Sequence, residues 1–310
     1  MRVSIYGAGG VGRAVAAILA RRRGYDVLGP FSRAEREVAL RSGADVVLIA
    51  TTSFLGEIAE DLREAVEAGS NVITTAEEAA FPWHFDEQLA SELDTLARAR
   101  KVTILGAGLN PGFVFDALVL TASGVVATVD AIRVERVVDL SGFSTAILRR
   151  LGIGFGPADF AAGVAAGTIT GHIGFPQSMR IVARALRLEL ERVERHIEPI
   201  EAEAEHRLAG FIVRPGESAG FRQRYVGVVG GRPWFEALFL GHVDPEGAGL
   251  RTRDEISITG DGPPLRLAVE PGINPQAGAP SVIANSLERL VAAEPGWRTV
   301  ADLPPAHSTA

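Results

Sequence analysis

The sequence predicts an α/β protein in which a doubly wound parallel sheet is followed by an α+β domain with a mostly antiparallel sheet. Over the first hundred residues, strand-like and helix-like segments alternate, which indicates consecutive βαβ units. A glycine-rich turn directly follows the first of these strands. After Phe113, β-rich segments follow one another between Gly and Pro turns, a pattern typical of antiparallel pairing. These three observations together predict the fold class.

Composition limits what the chain can be. Its 310 residues suit two domains, and an apolar content of 47% supplies a core for each. A formal net charge of −7 leaves no broad basic surface, so we expect no nucleic-acid partner. The absence of cysteine excludes disulfides, zinc–thiolate sites and a cysteine nucleophile. The first strand begins at Arg2 and no apolar run is long enough to span a bilayer, so we expect a cytoplasmic protein without membrane contact.

Each element of the first domain follows from periodicity and stop signals. The all-apolar run Val46–Ala50 is typical of a central parallel strand that is covered on both faces. The predicted strands are Arg2–Tyr6, Tyr25–Phe31, Val46–Ala50, Asn71–Thr74 and Val102–Leu105. The predicted helices between them are Val11–Arg23, Ala34–Arg41, Leu55–Ala68 and Asp86–Arg100.

The second half is mixed. The predicted helices are Val114–Ser123, Pro157–Ala166, Ser178–Leu188 and Ser281–Ala292, the last one after a turn-rich stretch over Glu270–Pro280. The predicted strands are Val129–Val138, Gly210–Val213, Tyr225–Val229, Trp234–Leu240 and Glu255–Thr259. Ser178 is interpreted as a helix N-cap. The charged stretch Glu189–Glu205 is interpreted as a solvated face, because no cluster of His, Asp and Glu has metal-ligand spacing.

The glycine-rich turn has the spacing of a dinucleotide-binding motif. Gly7-Ala8-Gly9-Gly10-Val11-Gly12 lies between the first strand and the first helix, which is the context that the Rossmann motif requires. Gly7 allows the tight turn, Gly9 lets backbone approach a pyrophosphate, and Gly12 lets the helix pack on the strand. Gly10 and Val11 open the helix, whose N-terminus favours phosphate. The alternative is a glycine turn that binds nothing.

The end of the second strand favours NADP over NAD. NAD enzymes often place an acid there to hold the ribose hydroxyls. Here the segment is Phe31-Ser32-Arg33, with no acid before Glu35. A hydroxyl and a guanidinium at Ser32 and Arg33 suit a 2′-phosphate. The alternatives are that Arg33 only begins a solvated helix, and that NAD is used.

Three further segments lie at the carboxyl ends of parallel strands, where ligands of such sheets bind. Thr51, Thr52 and Ser53 follow the third strand, and we expect them near the nicotinamide ribose. Thr75-Ala76-Glu77-Glu78 follows the fourth strand. The segment from Gly106 to Phe113, with Gly108 and Asn110, follows the fifth. We expect Gly108 and Asn110 to contact the cofactor, although this segment could equally be an interdomain hinge.

These segments resemble a known family. The chain resembles the 2,4-diaminopentanoate dehydrogenases and the native amine dehydrogenases. The resemblance is carried by residues 71–78, 105–113, 171–178 (Gly-His-Ile-Gly-Phe-Pro-Gln-Ser) and the tail over residues 295–304. More distantly, the chain is similar to the dihydrodipicolinate reductase superfamily. It lacks the His-His pair and the Lys-containing loop of the true reductases, so that reaction is not expected.

The resemblance implies an NAD(P)-dependent oxidoreductase that oxidises an amine, or aminates a ketone with ammonia in reverse. It implies a dinucleotide-binding domain over residues 1–113, a substrate-binding and dimerisation domain over 114–275, and a C-terminal helix and tail over 276–310 that return to the first domain. A homodimer is expected. Two alternatives remain: an imine or ketone reductase without an ammonia step, and a noncatalytic NAD(P)-binding sensor.

Such chemistry needs a carboxylate that handles protons and a developing iminium. Glu77 and Glu78 are the leading candidates, with a capping or salt-bridge role as the alternative for each. Asn110 could hold the nicotinamide carboxamide or the substrate amine, or only form a turn. Asp139 could meet a substrate ammonium, or pair with the neighbouring Arg133 and Arg136.

Two more predictions concern the substrate. His172 lies in a glycine loop before a helix and could face the substrate, although a lone histidine is more often structural. A substrate carboxylate would need a cationic anchor, for which Arg136, Arg149 and Arg150 are candidates.

Overall fold

The computed structural model describes residues 1–308. Its strands are β1 (Arg2–Tyr6), β2 (Asp26–Phe31), β3 (Val46–Ile49), β4 (Asn71–Thr74), β5 (Thr103–Gly106), β6 (Ala131–Asp139), β7 (Arg192–Glu201), β8 (His206–Leu208), β9 (Phe211–Val213), β10 (Ser218–Val229), β11 (Arg232–His242), β12 (Arg253–Thr259), β13 (Leu265–Val269) and β14 (Gly296–Arg298). Its α-helices are α1 (Gly10–Leu19), α2 (Arg36–Leu40), α3 (Ala59–Glu67), α4 (Glu87–Arg100), α5 (Ala117–Ser123), α6 (Thr145–Arg150), α7 (Pro157–Ala165), α8 (Phe175–Ala185) and α9 (Pro275–Ala292).

The first sheet is parallel throughout, with the strand order β14-β5-β4-β3-β1-β2. The four residues of β3 are all buried, as the apolar run predicts for a strand covered on both faces. β14 was not predicted, because three residues are too few to show a periodicity. The parallel sheet expected from the alternating pattern is confirmed.

Helices cover both faces of this sheet. On one face α2, α3 and α4 enclose a core that includes Leu62, Leu93 and Trp297. On the other face α1 and α9 contribute Val15, Leu19, Ile283 and Leu287 to a second core, and the two helices pack against each other.

The prediction that the final helix begins at Ser281 was wrong, since α9 begins at Pro275 and contains Pro280. The Pro and Gly residues of the preceding stretch suggested turns. A proline early in a helix removes only one backbone hydrogen bond, and burial of the helix offsets that loss. Pro280 is itself buried in the α9 packing.

The described residues form two compact units. One comprises Met1–Thr121, Pro176–Arg187 and the segment from Pro275 onward, and the other comprises Ala122–Phe175 and Leu188–Asn274. Most of α8 thus packs with the first unit, although its sequence position places it in the predicted second domain. The predicted boundaries at residues 113 and 275 stay a prediction.

The second unit contains a mixed sheet with the order β13-β12-β6-β11-β10-β7. The pair β6–β11 is parallel and the other pairs are antiparallel, so the sheet is mostly antiparallel as predicted. β7 occupies an edge and lies within the charged stretch that was interpreted as a solvated face. Its alternation of charged and apolar residues suits an edge strand with one face in water. β8 and β9 form a separate hairpin.

Within residues 1–308, no helix is both long and apolar enough to cross a membrane.

Candidate active site

The turn between β1 and α1 has the geometry of a phosphate-binding loop. Gly7 has φ +130°, and a Cβ there would lie 2.4 Å from the Ala50 carbonyl oxygen. A Cβ on Gly12 would lie 1.9 Å from the Gly7 carbonyl oxygen, so helix and strand approach too closely for any side chain. By contrast, a Cβ on Gly9 or Gly10 would meet nothing within 4 Å. The turn therefore keeps space open at the N-terminus of α1.

That space fits the pyrophosphate of a dinucleotide. Gly9 is the N-cap of α1 and adopts an extended conformation without a side-chain cap. The first N–H groups of a helix have no partner within the helix, and they favour an anion together with the helix dipole. The residues present thus fit a nicotinamide dinucleotide in this turn.

Glu35 is the first acid after β2, and sequence analysis gave it no role in holding a ribose. Glu35 folds back onto Ser32, whose backbone N–H and hydroxyl donate to Glu35 Oε2 at 3.0 and 2.8 Å. These two bonds lower the pKa of Glu35. Arg33 is exposed and makes no hydrogen bond or ion pair with the described residues. Beyond β2, a free guanidinium and a carboxylate are therefore both present.

The loops after β3 and β4 are joined by two neighbouring carboxylates. The Ser53 hydroxyl donates to Glu77 Oε1 at 3.1 Å, and the Leu55 N–H donates to Glu78 Oε2 at 2.7 Å. The Glu78 N–H in turn donates to the Ser53 carbonyl at 3.4 Å. The structure brings Ser53, Glu77 and Glu78 together at the carboxyl edge of the sheet, in the order that the sequence predicts. Thr52 Oγ1 accepts the Phe54 N–H at 3.3 Å in the same loop.

The two carboxylates have different environments. Partial burial raises the pKa of Glu78, the Leu55 N–H opposes this effect, and the charges of Glu77 and Glu57 add to it. The partner of the Glu78 carboxylate is the Leu55 backbone N–H, which can only donate. The Ser53 hydroxyl at Glu77 can donate to an ionised carboxylate or accept from a protonated one. This partner of Glu77 can therefore act both as donor and as acceptor, whereas that of Glu78 can only donate.

The loop after β5 contains an unsatisfied amide. The side-chain nitrogen and oxygen of Asn110 are both buried and have no hydrogen-bond partner among residues 1–308. Asn110 lies in a turn, as the alternative to a ligand contact expects, but its side chain makes no hydrogen bond within that turn. Gly108 and Gly112 face each other in this loop, since a Cβ on Gly112 would lie 2.4 Å from the Gly108 nitrogen.

Asp116 organises this loop, and sequence analysis missed it. Its carboxylate is fully buried and accepts the N–H groups of Gly112 and Ala117 at 2.8 and 2.7 Å. It also accepts the Ser178 hydroxyl at 2.8 Å. Burial raises the pKa of Asp116, and these three donors oppose the shift. A lone Asp between apolar residues has no local pattern that would reveal such a role.

The interpretation of Ser178 as an N-cap was wrong. α8 begins three residues earlier, at Phe175, and Ser178 lies inside it with its hydroxyl on Asp116. Proline at the second helical position is compatible with an earlier start, because the first N–H groups need no helical partner. Ser178 thus ties α8 to the loop after β5.

His172 lies in the second unit against an aromatic group. Its ring centroid is 5.0 Å from that of Phe175 and 5.6 Å from that of Phe239. The buried Gln223 holds its backbone: the His172 N–H donates to Gln223 Oε1 at 2.8 Å, and Gln223 Nε2 donates to the His172 carbonyl at 2.9 Å. The amide of Gln223 therefore fixes the loop that carries this histidine.

Asp139 does not pair with the arginines of its own strand. Its Oδ1 accepts the Ser141 N–H at 2.8 Å. Arg136 is buried and pairs with Asp254 while donating to the Ile273 carbonyl at 2.7 Å, and Arg133 pairs with Glu236 and Glu135. Asp254 and Glu236 lie on neighbouring strands, and the sequence alone does not reveal these partners.

The three arginines predicted as carboxylate anchors differ in their partners. Arg136 is committed to the buried pair with Asp254, which makes it a structural residue. Arg149 lies over the rings of Phe155 and Phe211 and donates to the Gly154 carbonyl at 3.1 Å. Arg150 Nε is buried and has no partner among the described residues. Arg150 alone of these three stays a candidate anchor.

Among residues 1–308, no group of three or more His, Asp or Glu side chains has a geometry that could hold a metal ion.

Comparison with known proteins decides the family. Residues 113–310 match the family model of the 2,4-diaminopentanoate dehydrogenase C-terminal domain. The chain is also 30% identical to the 2,4-diaminopentanoate dehydrogenase of Acetoanaerobium sticklandii, over 98% of this chain and 93% of that protein. The chain belongs to the 2,4-diaminopentanoate dehydrogenase family. The family expected from the sequence motifs is confirmed, and with it an NAD(P)-dependent oxidoreductase that acts on an amine.

Solved structures share the fold of this family member. An amine dehydrogenase from Mycobacterium smegmatis has a TM-score of 0.85 at 23% identity, covering 100% of this chain and 97% of that one. A biliverdin reductase from Synechocystis, solved with biliverdin and NADP⁺, has a TM-score of 0.50 at 14% identity, with coverages of 87% and 79%. At these identities the likeness concerns the fold, and the α/β class predicted from the sequence is confirmed.

Proposed function

We propose that this family member interconverts a primary amine with a ketone and free ammonia, with NADP as the preferred dinucleotide. The observation that carries the proposal is the position of Glu77, held by Ser53 at the same sheet edge as the phosphate-binding turn. When bound, the nicotinamide takes a hydride from the carbon that carries the amine, or returns it. The chain must supply proton transfer and orientation.

Glu77 is the proposed proton carrier. In the direction of amination, a protonated Glu77 donates to the hydroxyl of the carbinolamine, which leaves as water. The resulting carboxylate then stabilises the positive iminium carbon and nitrogen. In the direction of deamination, the same carboxylate takes a proton from the attacking water. Glu78 fixes the loop that carries Ser53, through its bonds to the Leu55 and Ser53 backbone.

The remaining predicted contacts are consistent with this arrangement. The unsatisfied amide of Asn110 has one donor and one acceptor side, as a nicotinamide carboxamide requires. Gly108 and the segment Thr51–Ser53 lie at the same carboxyl edge as Glu77. Asp139 and His172 are proposed as substrate contacts, on the chemistry of a carboxylate for an ammonium and of an imidazole beside aromatic rings.

The NADP preference is proposed on the basis of Ser32 and Arg33. A 2′-phosphate gains charge-assisted hydrogen bonds from a guanidinium that has no other partner. Glu35 acts against this, since its carboxylate occupies both donors of Ser32 and is itself able to accept from ribose hydroxyls. The proposed preference for NADP over NAD requires that the attraction of Arg33 outweigh the effect of Glu35.

The substrate class follows from the relatives. One relative is named for 2,4-diaminopentanoate and a structural neighbour for amines, so we propose a small amine or diamino acid here. A homodimer and a cytoplasmic location stay predictions.

The test is NADPH oxidation with a panel of small ketones and 4-oxo amino acids, with and without concentrated ammonium. We expect turnover that depends on ammonium. Turnover that is equal without ammonium would instead establish a ketone or imine reductase. Tight NADPH binding without turnover on any member of the panel would favour the noncatalytic sensor.

A further inference from the structure

Arg180, on α8, is a partly buried cation without an anion. Its Nε is buried and has no hydrogen-bond partner among residues 1–308, and no carboxylate of the described residues forms an ion pair with it. Burial lowers the pKa of Arg180. One turn later, Arg184 shows the usual outcome for an arginine, since it pairs with Asp302 at 2.7 Å and donates to Thr299. A buried N–H without an acceptor is unfavourable, so the Arg180 Nε–H calls for a partner that arrives later.

The groups around Arg180 are also short of partners. Gln177, three residues earlier and thus on the same helix face, is 4% exposed, and its Oε1 is buried without a donor. His84 is near enough that its pKa is lowered by loss of solvent around its ring and then by the charge of Arg180. The nearest side chains therefore offer no negative charge to this guanidinium.

This group lies in the first unit, on segments that connect to the loops after β4 and β5. The chain from Glu77 continues through two short 3₁₀ turns to His84. The first turn lies against the end of β5, because a Cβ on Gly106 would be 2.3 Å from the Ala79 carbonyl carbon. α8 is tied to the loop after β5 by Ser178 and Asp116. Arg184 lies over Phe81 and Trp83 at 5.4 and 5.5 Å, which holds α8 against the segment that ends at His84.

We propose that Arg180 binds a carboxylate of the substrate, with the Gln177 amide as its neighbour, and so selects amines and ketones that carry an acid group. A guanidinium can hold both carboxylate oxygens at once, which fixes orientation as well as charge. The proposal rests on the proposed function for its substrate class. Arg180 takes the role that was expected of Arg136, because Arg136 pairs with Asp254. Arg150 is the alternative anchor, since its Nε also has no partner among the described residues.

The test compares 4-oxopentanoate with 2-pentanone, which has a methyl group in place of the carboxylate. With NADPH and ammonium, we expect wild type to favour the keto acid in kcat/KM by about 10- to 100-fold, the value of charge-assisted hydrogen bonds. Arg180→Met should abolish this preference and leave the rate with 2-pentanone unchanged. Arg180→Lys should retain part of it, as a point charge without the planar fork. Arg187→Met, on an exposed arginine two residues beyond the end of α8, is the matched control and should behave as wild type.

A second readout does not depend on turnover. With NADP⁺ present, 4-oxopentanoate should raise the Tm of wild type and of Arg187→Met but not of Arg180→Met. Arg180→Met itself should be at least as stable as wild type, because it removes a buried N–H that has no acceptor. If no ketone is turned over but this Tm shift is seen, the proposed function fails and the anion site stands. The proposal would be overturned if Arg180→Met lost kcat/KM equally with both ketones, or if its Tm without ligand were below that of wild type. It would also be overturned if Arg150→Met, and not Arg180→Met, lost the preference for the keto acid.

Discussion

Glu77 and Glu78 are adjacent in the chain but hold different kinds of donor, a hydroxyl and a backbone N–H. This difference predicts that only one of them is essential for turnover. Glu77→Gln should lower kcat by about 10²- to 10⁴-fold, the usual contribution of a positioned acid or base. Glu78→Gln should retain most of the activity, because its amide oxygen still accepts the Leu55 N–H. Steady-state kinetics on the two variants checks this, and a reversed order would assign the proton to Glu78.

The raised pKa of Glu78 predicts how the stability of the protein depends on pH. Because burial raises the pKa of Glu78, the folded protein holds this proton more tightly than the unfolded chain does, and its contribution to stability falls as pH rises. Glu78→Gln removes the charge, so its Tm should equal or exceed that of wild type at pH 8. The difference should shrink as the pH is lowered towards the range where unfolded carboxyl groups take up protons. A Tm deficit at pH 8 would show that the carboxylate itself is needed in the loop.

The pair Arg33 and Glu35 predicts opposite changes in cofactor preference. Arg33→Asp should weaken NADPH binding by about 10- to 100-fold and leave NADH binding nearly unchanged, because only the 2′-phosphate loses a charge-assisted bond. Glu35→Gln should shift the preference further towards NADPH, since it removes a negative charge and releases Ser32 from a strong acceptor. Titration of both dinucleotides by fluorescence measures this. Equal losses for the two cofactors in Arg33→Asp would exclude a 2′-phosphate contact.

At the scale of elements, the start of α1 predicts that cofactor binding can be lost without loss of the fold. A methyl group on Gly9 would meet no protein atom within 4 Å, and its φ of −76° is open to any residue. Gly9→Ala should therefore leave the Tm of the free protein unchanged and weaken dinucleotide binding, since the methyl group fills the space of the pyrophosphate. Gly156→Ala is the matched control, because that glycine also faces open space. Unchanged cofactor affinity in Gly9→Ala would remove the pyrophosphate from this turn.

The junction of α8 with the loop after β5 predicts a stability effect at Asp116. Asp116→Asn keeps the size of the side chain but presents an NH₂ group towards donors, so at least one buried donor loses its acceptor. This should cost about 1–3 kcal/mol in the free energy of unfolding. Ser178→Ala removes one donor and leaves the carboxylate with two, so the loss should be smaller. Urea denaturation of both variants measures the two costs, and equal costs would mean that the loop does not depend on the carboxylate.

The strands of the first unit could be predicted almost to the residue, because each one is a local apolar run next to a glycine or a helix start. β1 and β4 have the predicted bounds, β2 and β3 differ by one residue at one end, and β5 is shifted by one residue at both ends. β14 and the early turns of α9 were missed, because their structure depends on the sheet edge and the helix that they pack against. Local pattern does not contain that information.

The residues of the candidate site fall into the same two groups, those that a local pattern reveals and those that it does not. Glu77, Glu78 and Ser53 could be placed at one edge, because parallel strands end together. Asp116, Gln177, Arg180 and Gln223 could not be found, since the role of each depends on the group that it contacts, or lacks, in a distant segment. The alternative partners considered for Asp139 fail for the same reason, since Arg136 pairs with Asp254, which is distant in sequence.

At the scale of the whole molecule, the first unit is discontinuous, and this has a consequence during synthesis. The ribosome releases residues 1–121 well before α9 and β14 exist. Until then, β5 presents an unpaired edge, and the apolar surface of α1 that Ile283 and Leu287 later cover faces water. The nascent chain therefore carries an unfinished nucleotide domain through most of translation. That surface stays open to chaperones until the final segment has docked.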